Sequence, residues 1–275
     1  MPFWFYTPLY LHCRWKTRKY RMIGNRYRLI RQIGRGSTGL VYLAIDIKTH
    51  TRCAIKEICK QKNRQESSIL KELGPHKNII GFIEVIEDSG SIYLVMEMAK
   101  KGAIMDIVPH SLTQPYSDHQ CKHLFKQLVN AVYHLHQRGI IHGDIKPENI
   151  LLTNHQTVRL IDFGNASRIS DLTAKITTGS PAFMAPELLK KVPHSPTSSD
   201  IWALGVTLYC LAYGHLPFEK SSFIQLYQDI LTKPVPHSQT INPQLKDLIN
   251  QLLEKDPNKR ITLDKVKHHP WLMTP

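Results

Sequence analysis

Chemically reactive side chains are concentrated in one short part of this 275-residue chain. Asp144, Lys146 and Asn149 fall within a single stretch that is bounded on both sides by apolar pairs. A carboxylate can accept or orient a proton, a lysine can neutralise charge that develops on a phosphate, and an amide oxygen suits Mg²⁺, a hard cation. Asp162 follows an apolar run of β type and adds a charged oxygen ligand. The pattern predicts phosphoryl chemistry, which depends mainly on positioning and electrostatics.

A glycine-rich segment lies upstream, Gly34-Arg35-Gly36-Ser37-Thr38-Gly39, and a strand-like run begins at Leu40. Glycines lack side chains, so backbone N–H groups there can approach phosphate oxygens closely. The same spacing occurs in dinucleotide-binding folds, but in those folds the loop opens a helix. Because a strand follows here, the spacing favours a hairpin over the phosphates of a nucleotide. Val41 and Ala54 are then placed above an adenine ring, and Leu151 below it.

Lys56 follows two apolar residues in a strand-like run. A lone lysine in a strand is usually solvated, but the glycine-rich hairpin upstream makes Lys56 the candidate ligand of the α- and β-phosphates. We predict that Glu66 holds it, because Glu66 shares one helical face with Ile69, Leu70 and Leu73. Glu72 lies off that face, and Glu57 points to the opposite side of the strand from Lys56.

Strand-like and helix-like patterns occupy different parts of the chain. Short β-branched runs predict five strands, at Tyr27–Ile33, Leu40–Ile45, Thr51–Glu57, Ile79–Ile86 and Ile92–Met98, with one helix near Gln65–Leu73. After Ser117 the apolar spacing predicts helices at Asp118–Arg138, Asp200–Tyr213, Ser222–Leu231 and Gln244–Glu254. We therefore predict an α+β fold with a five-stranded antiparallel N-lobe (25–98), a hinge (99–102) and a mainly helical C-lobe (103–272). Ligands usually bind in the cleft between such lobes.

Composition limits the class of protein. A hydrophobic content of 42 % is enough for a sizeable core and too high for a disordered chain. No apolar run approaches the roughly 20 residues that a membrane span needs. The five cysteines are odd in number and lack CxxC or metal-finger spacing. They predict reduced thiols in a cytoplasmic or nuclear protein.

The net charge of +14 is unevenly distributed, because residues 1–45 contain nine Lys or Arg and no Asp or Glu. An aromatic stretch precedes these charges, which is the wrong order for a secretory signal. An acidic membrane, nucleic acid or calmodulin would suit the charge, but we favour a solvated, partly disordered arm over residues 1–24, because one basic tail is weak evidence for any partner. No reader motif accompanies the charge, so we expect no specific nucleic-acid partner.

Six short motifs occur in the order of the eukaryotic protein kinase signature set, which the chain resembles from Asn25 to Leu272. They are Gly34–Val41, Ala54–Lys56, His142–Asp144, Lys146–Asn149, Asp162–Gly164 and Ala185–Glu187. The resemblance implies transfer of the γ-phosphoryl group of ATP, with Mg²⁺ as cofactor, to a hydroxyl group of a protein. Lys146 and Ser180 are typical of the serine/threonine branch.

The resemblance also implies a role for each site residue. Catalysis is assigned to Lys56, Glu66, Asp144 and Lys146, and Mg²⁺ binding to Asn149 and Asp162. The implied nucleotide-binding residues are Ile33, Gly34, Arg35, Gly36, Ser37, Thr38, Gly39, Val41, Ala54, Lys56, Met96, Glu97, Ala99 and Leu151. Met96 is the gatekeeper of that set, and Glu97 and Ala99 offer backbone groups to adenine.

Three further residues are implied to be structural. Alone, His142 could be a metal ligand or an acid–base group, but the resemblance makes it a packed core histidine. Asp200 matches the residue that braces the catalytic loop. Glu187 matches one partner of a buried ion pair in the helical lobe, and Arg260 matches the other.

Finer matches resemble calcium/calmodulin-dependent kinase kinases and related fungal and plant activators of AMP-activated-type kinases. These matches lie at 25–29, 102–108, 178–187 and 202–210. They imply a protein substrate that is itself a kinase, phosphorylated on its activation-loop threonine. A downstream calcium- or energy-sensing kinase is the alternative. A pseudokinase scaffold is a third reading, and every catalytic residue argues against it.

Departures from the family pattern affect regulation. Gly143 replaces the Arg that usually pairs with a phosphorylated activation loop, and Ile176 occupies the usual phosphosite. With no fixed cation to receive a phosphate, we expect activity without loop phosphorylation. The alternative is that Lys175 or Arg168 binds the phosphate instead.

Two departures concern substrate and regulator. Ala103 replaces an acidic residue that holds a substrate arginine in many basophilic kinases, whereas Glu148 remains, so we expect a weakened preference for arginine. The chain ends at Pro275, where animal kinase kinases continue into a calmodulin-binding tail. We therefore expect no calmodulin control unless the basic segment 14–29 provides the site.

Overall fold

The chain folds into a sheet-based N-lobe and a helical C-lobe in the computed structural model. The structure describes residues 21–36, 39–60, 65–88, 90–99, 101–107, 111–171, 179–192, 194–238 and 240–274. The predicted α+β fold of two lobes is confirmed. No helix among the described residues is long and apolar enough to cross a membrane.

The N-lobe sheet has six antiparallel strands within the described residues, in the order β1-β2-β3-β4-β6-β5. The strands are β1 Met22–Ile23, β2 Tyr27–Arg35, β3 Gly39–Asp46, β4 Arg52–Cys59, β5 Phe82–Glu87 and β6 Ser91–Glu97. The five predicted strands are all present, and β1 adds a sixth that the sequence pattern did not reveal.

Strand β1 is a two-residue addition at the edge of the sheet. Met22 pairs with Arg28 and Ile23 pairs with Tyr27 across a tight turn. Two residues are too few to show the alternation on which strand prediction depends. The sheet therefore begins inside the segment 1–24 that we predicted to be an arm, and residues 1–20 of that segment lie outside the described residues.

The predicted start of β5 is wrong by three residues. Ile79 forms an isolated parallel bridge with Leu160 of the C-lobe, and the N–H of Ile80 donates to the carbonyl of Leu160 at 3.0 Å. These residues therefore join the two lobes instead of extending the sheet. Their apolar character is the same in both settings, so the sequence pattern cannot distinguish them.

Helix α1, Gln65–Leu73, crosses behind the sheet and has the predicted bounds. Its buried residues are Glu66, Ile69, Leu70 and Leu73, which is the face that the sequence predicts. The face is apolar except for Glu66, so the carboxylate is carried into the interior by the packing of its neighbours.

Helices build most of the C-lobe. They are α2 Asp118–His136, α3 Pro186–Lys190, α4 Pro196–Tyr213, α5 Phe223–Thr232, α6 Pro243–Leu252, α7 Leu263–Lys267 and α8 Pro270–Met273. Ser117 caps α2 in a reciprocal bond with Gln120. Helix α4 begins four residues before the predicted Asp200, because Pro196 suits a first helical turn.

Two small two-stranded sheets frame the loops between α2 and α3. Strand β7, Ile140–Ile141, pairs with β10, Ser167–Arg168, and β8, Ile150–Leu152, pairs with β9, Val158–Leu160. Each pair is antiparallel. Together they fix both ends of the segment 142–149 and both ends of the segment 161–166, which carry the predicted catalytic and metal-binding residues.

One hydrophobic core crosses the lobe boundary. It includes Leu70 of α1, Leu94 of β6, Phe125 of α2 and Trp202 of α4, each almost completely buried. A smaller cluster lies on the outer face of the sheet around Tyr27. The shared core means that α1 rests on the C-lobe as well as on its own sheet.

Gly205 is the point of closest packing between α4 and α6. A Cβ atom there would lie 2.8 Å from both Leu252 and Leu253. Gly205→Ala gains up to about 1 kcal/mol of helix propensity, but overpacking a filled core costs about 1–3 kcal/mol. We therefore expect a lower urea midpoint at an unchanged m-value. The control is Gly90→Ala, because nothing lies within 4 Å of that site; equal midpoints for both variants would contradict this packing.

Candidate active site

Lys56 of β4 joins three elements of the fold. Its Nζ lies 2.7 and 2.9 Å from the two carboxylate oxygens of Glu66 and 2.7 Å from Oδ1 of Asp162. The predicted contact between Lys56 and Glu66 is therefore present, and both side chains are at most 4 % exposed. Glu66 comes from α1 and Asp162 from the segment after β9, so the sheet, the helix and the C-lobe meet at one ammonium group.

The charges of Lys56 and Asp162 support each other, whereas burial outweighs Lys56 at Glu66 and raises the pKa of that carboxyl. Burial acts to lower the pKa of the Lys56 ammonium, but Glu66 and Asp162 outweigh burial and raise that pKa above its ordinary value. Burial acts to raise the pKa of Asp162, but the charge and hydrogen bond of Lys56 outweigh it and lower that pKa. At neutral pH the cleft therefore contains a protonated lysine and an ionised Asp162.

The central loop brings Asp144 and Lys146 together as an ion pair. Nζ of Lys146 lies 2.8 Å from Oδ2 of Asp144 and donates to Oγ of Ser180 at 2.6 Å. The backbone N–H of Ser180 donates to Oδ1 of Asp144 at 3.1 Å, and the Ser180 hydroxyl approaches the same oxygen at 3.2 Å. The Asn149 amide donates to Oδ2 at 3.0 Å. Three residues thus fix the orientation of one carboxylate through four contacts.

Asp200 of α4 holds the backbone of this loop in place. Its buried carboxylate accepts the backbone N–H groups of His142 at 2.9 Å and Gly143 at 3.0 Å. His136 of α2 contacts the same carboxylate through Nε2 at 2.9 Å. Burial acts to raise the pKa of Asp200, but these partners outweigh it and lower that pKa, so the brace is ionised.

His142 is completely buried and has two structural contacts. Its Nδ1 accepts the N–H of Asp144 at 3.3 Å, so Nε2 carries the proton and donates to the carbonyl of Ile161 at 3.0 Å. Its ring lies edge-on to Phe163, with centroids 5.0 Å apart. This position agrees with a packed core histidine.

Asn149 and Asp162 lie at the ends of paired strands. The N–H of Ile161, the residue before Asp162, donates to the carbonyl of Asn149 at 2.9 Å. Asn149 uses its Nδ2 on Asp144, which leaves Oδ1 as its acceptor atom. Two oxygen ligands fit Mg²⁺, which usually takes its other ligands from phosphates and water. The described residues contain no group of three His, Cys, Asp or Glu side chains that could hold a metal alone.

Apolar residues line the cleft beside this cluster. Ile33, Val41, Ala54, Met96 and Leu151 are each only partly buried, although all are apolar. Ala54 pairs directly with Met96 across β4 and β6, and Leu151 bridges to Ala103. Partly open apolar side chains on both sides of a cleft are suited to a flat ring. Of the predicted nucleotide-binding residues, Ser37 and Thr38 lie outside the described residues.

The glycines of the hairpin meet different requirements. A Cβ on Gly36 would lie 3.5 Å from Oδ2 of Asp162, so the hairpin lies over that carboxylate. A Cβ on Gly39 would lie 2.1 Å from the carbonyl oxygen of Glu57. Gly39 is therefore required by the close approach of β3 and β4, a reason that the phosphate-binding argument did not include.

The hinge is tied to both lobes. The N–H of Glu97 donates to the carbonyl of Gly81 at 2.8 Å, so its carbonyl is the backbone group that can meet an adenine. Its side chain pairs with Nε of Arg159 in β9 at 2.5 Å. The N–H of Ile104 donates to Ile150 at 2.7 Å. Sequence reasoning missed Arg159, because no spacing signal connects it with Glu97.

The ion pair between Glu187 and Arg260 is present and buried. Arg260 donates Nη1 and Nη2 to the two oxygens of Glu187, at 2.5 and 2.8 Å. Burial acts to raise the pKa of Glu187, and the Arg260 guanidinium outweighs it and lowers that pKa. The pair joins α3 to the segment before α7 and supports the chain that follows Ser180.

The sheet lobe, the helical lobe and the charged groups between them are the arrangement that defines protein kinases. The profile of the Protein kinase domain family matches residues 27–272. The chain therefore belongs to the protein kinase family, and its curated relatives place it with the serine/threonine kinases.

Three relatives show the extent of the similarity. The chain is 35 % identical to the calcium/calmodulin-dependent protein kinase kinase cmkC of Emericella nidulans, over 90 % of this chain and 58 % of that protein. It is 36 % identical to the probable serine/threonine-protein kinase MARK-A of Dictyostelium discoideum, over 91 % and 24 %. It is 33 % identical to CBL-interacting protein kinase 11 of Oryza sativa subsp. japonica, over 91 % and 52 %. The chain thus spans only part of the length of these relatives.

A histidine pair supports the end of α1. His134 of α2 contacts the carbonyl of Leu73 at 2.9 Å and stacks on His76 with ring centroids 4.4 Å apart. Nδ1 of His76 accepts the N–H of Asn78 at 3.2 Å. Burial lowers the pKa of His76 to about 4, with help from the electrostatic effect of the neighbouring basic side chains, among them Lys77, Arg138 and Arg159. His76 is therefore neutral in the folded protein at neutral pH.

This pKa predicts a loss of stability on mild acidification. The unfolded chain binds a proton at His76 near pH 6.5, whereas the folded chain resists it down to about 4. The contribution of His76 is therefore complete above pH 6.5 and is lost as the pH falls from 6.5 towards 4. We expect His76→Phe to show a smaller drop in urea midpoint between pH 7 and pH 5 than the parent. His155→Phe, at an exposed site, is the control; the same drop in His76→Phe and parent would refute the assignment.

Proposed function

We propose that this chain is an ATP-dependent serine/threonine protein kinase, which transfers the γ-phosphoryl group of Mg-ATP to a Ser or Thr hydroxyl of a protein. One observation carries the proposal: Asp144 is held at the cleft by Lys146, Ser180 and Asn149 through a closed set of short contacts. The Lys146 and Asp144 side chains are 20 % and 9 % exposed, so a substrate can reach this pair. The structural carboxylate of Asp200, by contrast, is 1 % exposed.

Different cleft residues bind the phosphates, the cation and the base of Mg-ATP. When bound, ATP supplies the phosphoryl group and Mg²⁺ neutralises charge on its phosphates. Lys56, held by Glu66, is the ligand of the phosphates, and Asn149 and Asp162 are the ligands of the cation. The partly buried apolar residues of the cleft, from Ile33 to Leu151, hold the base.

Asp144 orients the acceptor hydroxyl and receives its proton. Lys146 lies beside that carboxylate and stabilises negative charge as the phosphoryl group moves. Ser180 contacts both groups and keeps them aligned, which is the positioning that phosphoryl transfer requires.

The activation loop of another kinase is the proposed substrate. The name of cmkC describes a kinase that acts on a kinase, and the finer sequence matches favour the same class. The second candidate is a downstream kinase. MARK-A and the CBL-interacting kinase, whose names describe no action on another kinase, are 36 % and 33 % identical to the chain, against 35 % for cmkC. Sequence identity alone therefore does not separate the two roles.

The activity is tested with labelled ATP, Mg²⁺ and a catalytically dead AMP-activated-type kinase domain. We expect label in the substrate, and we expect Asp144→Asn to reduce its rate by about a hundredfold or more, since the acid–base group is lost. The control, Asp264→Asn in α7, should behave like the parent. Label transfer that is absent from the parent with this domain and with generic Ser/Thr peptides, or that is equal in parent and Asp144→Asn, refutes kinase activity.

The same reaction separates the two candidate roles. A substrate domain whose activation-loop threonine is replaced by alanine should lose the label if the chain activates other kinases. If the label persists at other positions, or if generic Ser/Thr peptides are much better substrates, the downstream role is favoured.

Activity should not depend on phosphorylation of the chain's own loop. Gly143 has φ +75°, and a Cβ there would lie 2.9 Å from the carbonyl oxygen of Asn165, so the backbone disfavours any side chain at the position that usually carries a phosphate-binding Arg. The double variant Thr177→Ala/Thr178→Ala changes two sites that lie outside the described residues. We expect it to retain activity within about threefold of the parent, because position 143 offers no cation that could bind a phosphate. A hundredfold loss would contradict this.

A further inference from the structure

Arg168 ties the catalytic region to helix α1. Its Nε and Nη2 donate to one oxygen of Glu72, at 2.9 and 2.6 Å, and Nη2 also donates to Oγ of Ser68 at 2.9 Å. Ser68 and Glu72 lie one turn apart on α1, so both project from one side of the helix. Because this planar guanidinium hydrogen-bonds to residues on two successive turns, it restricts both the position and the rotation of α1.

Each end of this contact leads to a catalytic group. Arg168 pairs with Ile140 in the short ladder of β10 and β7, and the N–H of Ile169 donates to the carbonyl of Gly139 at 2.7 Å. Strand β7 runs directly into the loop that carries Asp144. At the other end, α1 carries Glu66, which holds Lys56. A continuous set of contacts therefore joins Asp144 to Lys56 through Arg168.

We propose that Arg168 is a positioning residue, which holds α1 where Glu66 reaches Lys56 and does so without a phosphate. The inference rests on the proposed kinase function and deepens it. Gly143 offers no side chain that could link the central loop to a phosphorylated segment. Arg168 provides a permanent link at a neighbouring place in the fold, with the carboxylate of Glu72 as its anion.

Helix α1 is short and carries a buried charge, so a contact that fixes its position matters. Helix α1 has nine residues, and isolated helices of that length are marginal in water. Its buried face must hold a charged residue, Glu66, among apolar neighbours. The two side chains of the Arg168–Glu72 pair are 30 % and 38 % exposed, so the pair contributes little to global stability. Its effect should appear in the position of α1 and in activity, not in the melting temperature.

The test compares Arg168→Met, Glu72→Arg, Arg168→Glu and the reversed pair Glu72→Arg/Arg168→Glu. We expect each single variant to lower kcat about fivefold or more, the size of a typical coupling between sites, with Tm close to that of the parent. The reversed pair should recover most of the loss. The control is Arg21→Met, which breaks a comparable pair with Glu57 away from α1.

Two outcomes would overturn the proposal. One is a reversed pair that is no more active than its singles, and the other is a control that loses as much as Arg168→Met. The alternative, that Arg168 binds a loop phosphate, is tested in the Thr177→Ala/Thr178→Ala background. There, the positioning role predicts the same loss on Arg168→Met as in the parent, whereas phosphate binding predicts no further loss.

Hydrogen exchange separates failure of this inference from failure of the proposed function. Backbone amides of α1 should exchange faster in Arg168→Met than in the parent or in Arg21→Met. If the parent transfers no phosphoryl group but α1 still depends on Arg168, the positioning role stands and the kinase assignment fails. If exchange in α1 is the same in all three proteins, the positioning role fails whatever the activity.

Discussion

The position of one ammonium group constrains the rest of the structure. Lys56 is buried between Glu66 and Asp162, and a buried charge is costly unless its partners lie in good geometry. The three groups come from β4, α1 and the segment after β9. Each of these elements must therefore be in place for the others to be stable. The contacts that form the site are thus the same contacts that set the relative position of the two lobes.

The second half of the site follows a different rule. Asp144 is positioned by side chains, but the loop that carries it is held by backbone N–H groups that donate to Asp200. Backbone donors are independent of residue type, which explains how position 143 can be a glycine without loss of the brace. The brace itself lies on α4, the most deeply buried helix of the C-lobe, and so belongs to the least deformable part of the molecule.

Local patterns in the sequence predicted what local interactions determine. The face of α1, the five longer strands and the order of the motifs all depend on residues close in sequence. The two-residue strand β1 and the bridge from Ile79 to Leu160 were not predicted, because pairing partners decide them. The steric requirement for glycine at position 39 was not predicted either, because it comes from the carbonyl of Glu57 on a neighbouring strand. In the site, the motifs placed Lys56, Asp144 and Asp162, but the tie between Arg168 and Glu72 spans 96 positions and has no periodic signal.

A glycine at 143 changes which contacts can couple the two halves of the site. A phosphate-binding arginine gives a coupling that a second enzyme can switch on, because the anion is added after folding. In this chain the anion is Glu72 of α1, which is present as soon as the protein folds. The coupling is then set by the sequence of α1 and β10 and not by a modification. On the proposed function, a phosphate on the activation loop has no cation at position 143 to bind, and the link between Arg168 and Glu72 couples the two halves of the site instead.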